Sequence, residues 1–182
     1  MVRKISLGDI FELKTEKGLA YIQYVLKDPY HSYLVRVLDG VFKTRPSVFS
    51  ELVRKKEIYY EFVPPLLYEL NKKIIAHVGC EEVPEKFKTM PVFRIIGFPD
   101  NETQKVNSWR IWENGKERFI GKLTAKYLDT PTLSLSGTGG VAHSIEEGYT
   151  PRNDWNVTGL IPEIHAKLFE KSRWDVDNKD KK

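Results

Sequence analysis

Residues 133–149, LSLSGTGGVAHSIEEGY, gather serines, a Gly-Thr-Gly-Gly run, a histidine and two glutamates in one short stretch. Three chemistries draw on such residues, and each also needs a partner that is missing here. A phosphate loop wraps backbone N–H groups around the anion and adds a lysine and a Ser/Thr for magnesium. After Gly140, Val141 and Ala142 stand where Lys and Ser/Thr would be. A dinucleotide loop needs three glycines spaced G-x-G-x-x-G, and after Gly137 and Gly139 the third position is Ala142. A nucleophile elbow needs small residues flanking its serine, whereas Ser134 and Ser136 lie beside Leu133 and Leu135. The stretch reads as an ordered surface loop with flexible hinges. Ser136, His143 and a carboxylate are kept as the outline of a hydrolase.

His77-x-x-Cys80 is the other pair with chemical potential. On a regular strand an offset of three sends the two side chains to opposite faces, which disfavours a dyad or a shared metal. One cysteine and four scattered histidines, His31, His77, His143 and His165, lack zinc-ligand spacing. No metal and no cofactor is expected. Glu81, Glu82, Glu85, Glu146 and Glu147 would serve as acids or bases only if burial or pairing shifted them. In Pro- and Gly-rich connectors they read as solvated.

The chain has 182 residues, 41% hydrophobic and 30% charged, with a net charge of +4. That composition is ordinary for a globular protein able to bury a core. No apolar run is long enough to span a bilayer. The leading MVRKISLGDIFEL lacks an apolar core behind its basic residues, so no secretion signal is expected. A single cysteine rules out an intramolecular disulfide and fits a cytoplasmic setting. The basic residues are scattered, with local excesses around Lys43, Arg45, Arg54, Lys55 and Lys56 and in the DNKDKK tail. This is sparse for nucleic acid, which favours a denser basic stripe.

The elements that must position these residues follow from periodicity. GDIFELKT, LAYIQYVLKD and SYLVRVLDGVF alternate and are rich in β-branched and aromatic residues, with turn signals at Gly18 and Asp39-Gly40. They predict an antiparallel meander. RPSVFSELVRKK predicts a short amphipathic helix with Pro46 in its first turn and a basic face over 45–56. EIYYEFV and KKIIAHVGC return to strand. This order predicts a mainly β (α+β) fold, either a strongly bent antiparallel sheet or an SH3-like small barrel with a short helix. A hairpin and a C-terminal helix, IPEIHAKLFEKSRW, extend it. The expected organisation is a β unit with one helix over 1–80, a hairpin and loop extension on the same core over 81–160, and a helix with a charged tail over 161–182.

The hairpin is SWRIWENGKERFIGKL, with Asn114-Gly115 favouring a type I′ turn. Trp109 and Trp112 are an odd number apart and face opposite sides. Ile111 shares the side of Trp109, which is expected to point inward. Trp112, with Arg110 and Arg118, is the expected partner-binding group, because exposed Trp and Arg anchor protein interfaces.

The order of these segments resembles the immunity protein 26 family of bacterial polymorphic toxin systems. The resemblance rests on Gly8-Asp9-Ile10-Phe11, Ala20-Tyr21, YYEFVPPL, Val83-Pro84-Glu85, Pro91-Val92-Phe93-Arg94 and the Trp-bearing hairpin, over roughly residues 4–128. These are structural patterns with no catalytic signature. The resemblance implies a cytoplasmic protein that binds a cognate toxin domain and blocks it without chemistry of its own. An alternative is a small β-barrel binding nucleic acid, with Tyr21, Tyr24 or Trp112 as stacking surfaces near Arg36, Lys43 and Arg45.

Overall fold

The computed structural model describes residues 4–98, 100 and 106–158. The meander forms as the alternation predicts. β1 (Asp9–Thr15), β2 (Gly18–Asp28) and β3 (Ser32–Val37) pair antiparallel in sequence order. β4 (Tyr59–Phe62) joins the β3 edge and β5 (Ala76–Cys80) joins β1, giving the order β4-β3-β2-β1-β5. The sheet is bent but not closed, so the architecture is the open bent sheet and not the SH3-like barrel. Gly8 begins it at φ +92°, and a Cβ there would meet the Glu81 carbonyl oxygen at 2.4 Å. Only glycine fits where β1 enters beside the end of β5.

The basic segment departs from expectation. The helix is only α1 (Ser50–Arg54), and Pro46 lies before it in irregular chain. Two anchors hold that chain open. Arg45 grips Glu12 with two hydrogen bonds of 2.8 and 3.0 Å, and Phe49 is buried edge-on against Tyr21 at 5.1 Å. Glu12 also accepts from the Tyr21 hydroxyl. A short helix absent from the sequence reading, α2 (Leu66–Asn71), follows Pro65 and buries Leu66 and Leu70. Proline fits the start of a helix because its missing N–H is not needed there.

A second sheet comprises β6 (Phe93–Ile96), β7 (Trp109–Glu113) and β8 (Lys116–Gly121). Asn114 and Gly115 adopt φ of 51° and 73°, the left-handed pair that a type I′ turn demands. The glycine-rich stretch is not a loop. It contains α3 (Thr138–Glu146), whose Val141 and Ile145, four apart, are buried with Phe11, Ile22 and Val37 of the first sheet. The Glu69 carboxylate of α2 accepts the Thr138 N–H at 3.1 Å and caps the helix. At the other end Glu146 accepts the Glu16 N–H at 2.7 Å from the β1–β2 turn. After it comes the single-turn α4 (Trp155–Thr158). The predicted C-terminal helix lies outside the described residues.

An extended strap, 131–136, joins the two sheets. Its backbone pairs with Arg94 of β6 through bonds at Pro131 and Leu133, and with Phe62 of β4 at Ser136. Arg94 is wholly buried and organises the segments around it. Its guanidinium donates to Thr132 Oγ1 (2.9 Å), to the carbonyls of Leu128 (3.1 Å) and Pro151 (2.6 Å), and to Asp154 (3.2 Å). It also lies over the Trp109 ring. Asp154 Oδ2 further accepts from Thr132 and from the Tyr149 hydroxyl.

Removing one member of a buried pair strands the other charge, which costs about 3–5 kcal/mol. Asp154→Ala should lower stability by that amount in urea unfolding followed by tryptophan fluorescence. Disrupting the exposed Arg152–Asp129 pair with Asp129→Ala should leave the transition nearly unmoved.

Candidate functional site

Three places hold the residues singled out from the sequence. At the first, a β-bulge overturns the expected geometry. Ile10 pairs with Gly79 but Phe11 pairs with His77, so Val78 is the extra residue. The shift turns His77 and Cys80 to the same side, that of Asp9. His77 Nε2 lies 3.1 Å from Asp9 Oδ1. Burial and the Asp9 carboxylate both push the Cys80 thiol up, the opposite of what a reactive cysteine needs. Among the described residues no group of three His, Cys, Asp or Glu is placed to hold a metal ion.

The second place is the hairpin sheet. Trp109 is the inward tryptophan, 2% exposed, with its indole N–H donating to the Val106 carbonyl. Trp112 does not stand free. It is half-buried against the rings of Phe93 and His31. Arg110 is exposed on the same face, paired with Glu117 at 2.9 Å. Arg118 sits opposite Ile111 in the ladder, which puts it on the other face, where it donates to the Tyr127 hydroxyl. The structure therefore keeps Arg110 and Trp112 together and separates Arg118 from them. Opposite Arg110 stands Phe119, 68% exposed, a residue the sequence reading did not single out. The stacking surfaces proposed for nucleic acid are not available in the first sheet. Tyr21, Tyr24 and Arg36 are buried, and Arg45 is engaged with Glu12.

The third place is a cavity of about 470 Å³ between β4, the strap and α3. Strand alternation turns Tyr59 and Glu61 of β4 toward it, while the strap brings Ser134 and Ser136 and α3 brings His143 and Ser144. The hydrolase candidates Ser136 and His143 thus line one cavity, yet among the described residues no hydrogen bond joins them. His143 is exposed, and its ion contact is with Glu146 at 3.9 Å. The group that stands out is Glu61, 7% exposed. Its Oε2 accepts from Ser134 Oγ at 2.8 Å, and its Oε1 is buried without a hydrogen-bond partner. Burial pushes this carboxyl up to about 7, against the opposing pull of the Ser134 and Ser136 hydroxyls. Ser136 is near enough to act on the charge but does not reach Oε1 in hydrogen-bonding geometry. The Tyr59 hydroxyl is likewise buried, with the Ser144 hydroxyl near enough to act on it but not in hydrogen-bonding geometry, and its ring is edge-on to Tyr149 at 4.9 Å. Sequence inspection passed over Glu61 because a lone Glu in an alternating strand reads as solvent-facing. The covering elements arrive more than 70 residues later.

The glutamates named from the sequence behave as surface groups or ties. Glu82 and Glu85 share Lys88 in solvent, and Glu146 anchors the β1–β2 turn. No helix among the described residues is long and apolar enough to cross a membrane. No known family model, curated protein or solved structure matches the chain.

Glu61 ties stability to pH. The folded carboxyl holds its proton up to about pH 7, while the unfolded one releases it near its ordinary value of 4.5. The fold is therefore most stable, on this account, at low pH. It loses about 3 kcal/mol as pH rises through that window and no more above it. Glu61→Gln, which mimics the protonated form, should abolish this decline. Denaturant midpoints of both proteins at about pH 5 and pH 8 check it.

Proposed function

We propose that this chain is a non-catalytic cytoplasmic immunity protein that occupies a cognate bacterial toxin domain. The observation that carries the reading is the outer end of the hairpin sheet. There Phe119 stands 68% exposed beside Arg110, on an edge strand with no neighbour among the described residues. Exposed aromatic and arginine side chains at the centre of a patch are the usual anchors of protein interfaces. An unpaired strand edge adds a row of backbone donors and acceptors that a partner strand can use. The likeness of the segment order to the immunity protein 26 family supports the same reading. Trp112 serves here as the rigid base that holds the β7 face against Phe93, with Arg110 and Phe119 as the reaching groups. Arg118, on the opposite face, contributes through Tyr127 and the charge of the edge.

The test first asks whether a gene for a toxin with a C-terminal toxic domain neighbours this one, then titrates that domain calorimetrically. Phe119→Ala and Arg110→Ala should each weaken binding, the better anchor by about 2 kcal/mol or more, with unaltered thermal melts. Trp109→Ala should instead cost about 3–5 kcal/mol of stability, since it empties a core site. Unchanged affinity in both surface variants overturns the assignment of this face.

A further inference from the structure

We propose that the cavity between β4, the strap and α3 is a binding site for a small organic cation, an amine or guanidinium group carried on an apolar body. The inference is independent of the hairpin face. It stands first on two polar atoms that the fold buries without partners, Glu61 Oε1 and the Tyr59 hydroxyl, both on residues that line the cavity. Both side chains are more than nine-tenths buried. A buried acceptor without a donor costs stability, and such groups in a formed cavity mark where a ligand supplies the missing bond. Both atoms can accept, and a ligand carrying several N–H donors satisfies both.

The sign of the ligand follows from the remaining lining. Among the described residues Glu61, Glu147 and Asp154 face the cavity, and neither lysine nor arginine does. Asp154 is neutralised by Arg94 behind it. His143 at the rim is the one basic group among the described lining residues. An anion would be repelled. A cation would pair with Glu61 and lie against the rings of Tyr59 and Tyr149, whose faces attract positive charge. Ile96 and Leu133 supply an apolar wall for the body of the ligand. The volume is that of an ordinary small-molecule pocket. A metal ion is not favoured, since no group of three ligating side chains converges among the described residues.

Binding should expel the proton from Glu61, because the cation pays for a charge that burial alone disfavours. Affinity then rises with pH up to the carboxyl's own titration near pH 7, by about tenfold per pH unit below it. The other titratable groups facing Glu61 are Tyr59 on its own strand, His143 and Glu147 from α3, and Tyr149 and Asp154 beyond it. A neutral ligand accepting a bond from protonated Glu61 would show the reverse.

The experiment titrates the full chain with 2-phenylethylamine and with Nα-acetylarginine amide, following backbone amide shifts by NMR between about pH 5 and 8. The alcohol 2-phenylethanol is the uncharged control. The expected result is shifts centred on Tyr59, Glu61, Ser134 and α3, strengthening with pH and absent with the alcohol. Tighter binding of the amine points to a free metabolite, and tighter binding of the arginine amide points to a basic side chain of a peptide. Glu61→Gln should weaken binding roughly tenfold or more, and Tyr59→Phe by a smaller factor. The Tyr59 variant keeps the ring and serves if the Glu61 variant is altered in fold. Equal binding of the alcohol, affinity that falls with rising pH, full affinity in both variants, or no shifts at millimolar cation overturns the proposal.

Discussion

A guanidinium taken wholly out of water must find acceptors for its N–H groups, and Arg94 finds them almost entirely in loops. It binds the carbonyls of Leu128 and Pro151, the hydroxyl of Thr132 and the carboxylate of Asp154. Those bonds fix the path of the chain from the end of the second sheet to α4. Asp154 passes the order on, to Tyr149 and to the backbone and side chain of Asn156. Because the strap is stitched to β6 at Arg94 and to β4 at Phe62, one buried charge sets how the hairpin sheet meets the main sheet. The cavity wall depends on the same anchor. Thr132, Tyr149 and Asp154 are at once partners in the Arg94 network and lining of the cavity.

Two glutamates show how much the partner matters. Glu12 and Glu61 are almost equally buried, 6% and 7% exposed. Glu12 receives the Arg45 guanidinium, which holds its carboxyl below the ordinary range despite burial. Glu61 receives only the Ser134 hydroxyl, and burial prevails. A carboxylate with an arginine is a structural rivet. A carboxylate with a hydroxyl is left unsatisfied in its charged form and responsive to whatever approaches it.

The legible parts of the sequence were those where local pattern and tertiary setting agree. The alternation of Ile10 through Leu13 and of Tyr21 through Leu26, and the Asn114-Gly115 pair, needed no distant information to be read as strands and a turn. The glycine-rich stretch was misleading because two adjacent glycines weaken a helix, and the order there comes from outside it. Its core contacts through Val141 and Ile145 and its cap from Glu69 outweigh the local penalty. The spacing of Val141 and Ile145 was the signal that could have revealed it. The bulge at Val78 left no trace in composition, so the relation of His77 to Cys80 came out reversed. Arg45 looked like part of a basic helix face because nothing nearby in sequence announces Glu12, 33 residues earlier.

The placement of α3 has a consequence for the order of events in folding. The meander β1-β2-β3 closes through short turns, so its contacts cost little loop entropy and form early. Packing Val141 with Phe11 in one core closes a loop of well over a hundred residues, and the strap must find β4 across a gap of 73. Such contacts come late and are the first to open when the native state fluctuates. Amide protons of β1 and β2 should therefore exchange only through global unfolding, while those of α3 and the strap exchange through a smaller opening. The molecule has a slow, durable half and a half assembled last, and the cavity lies on the seam between them.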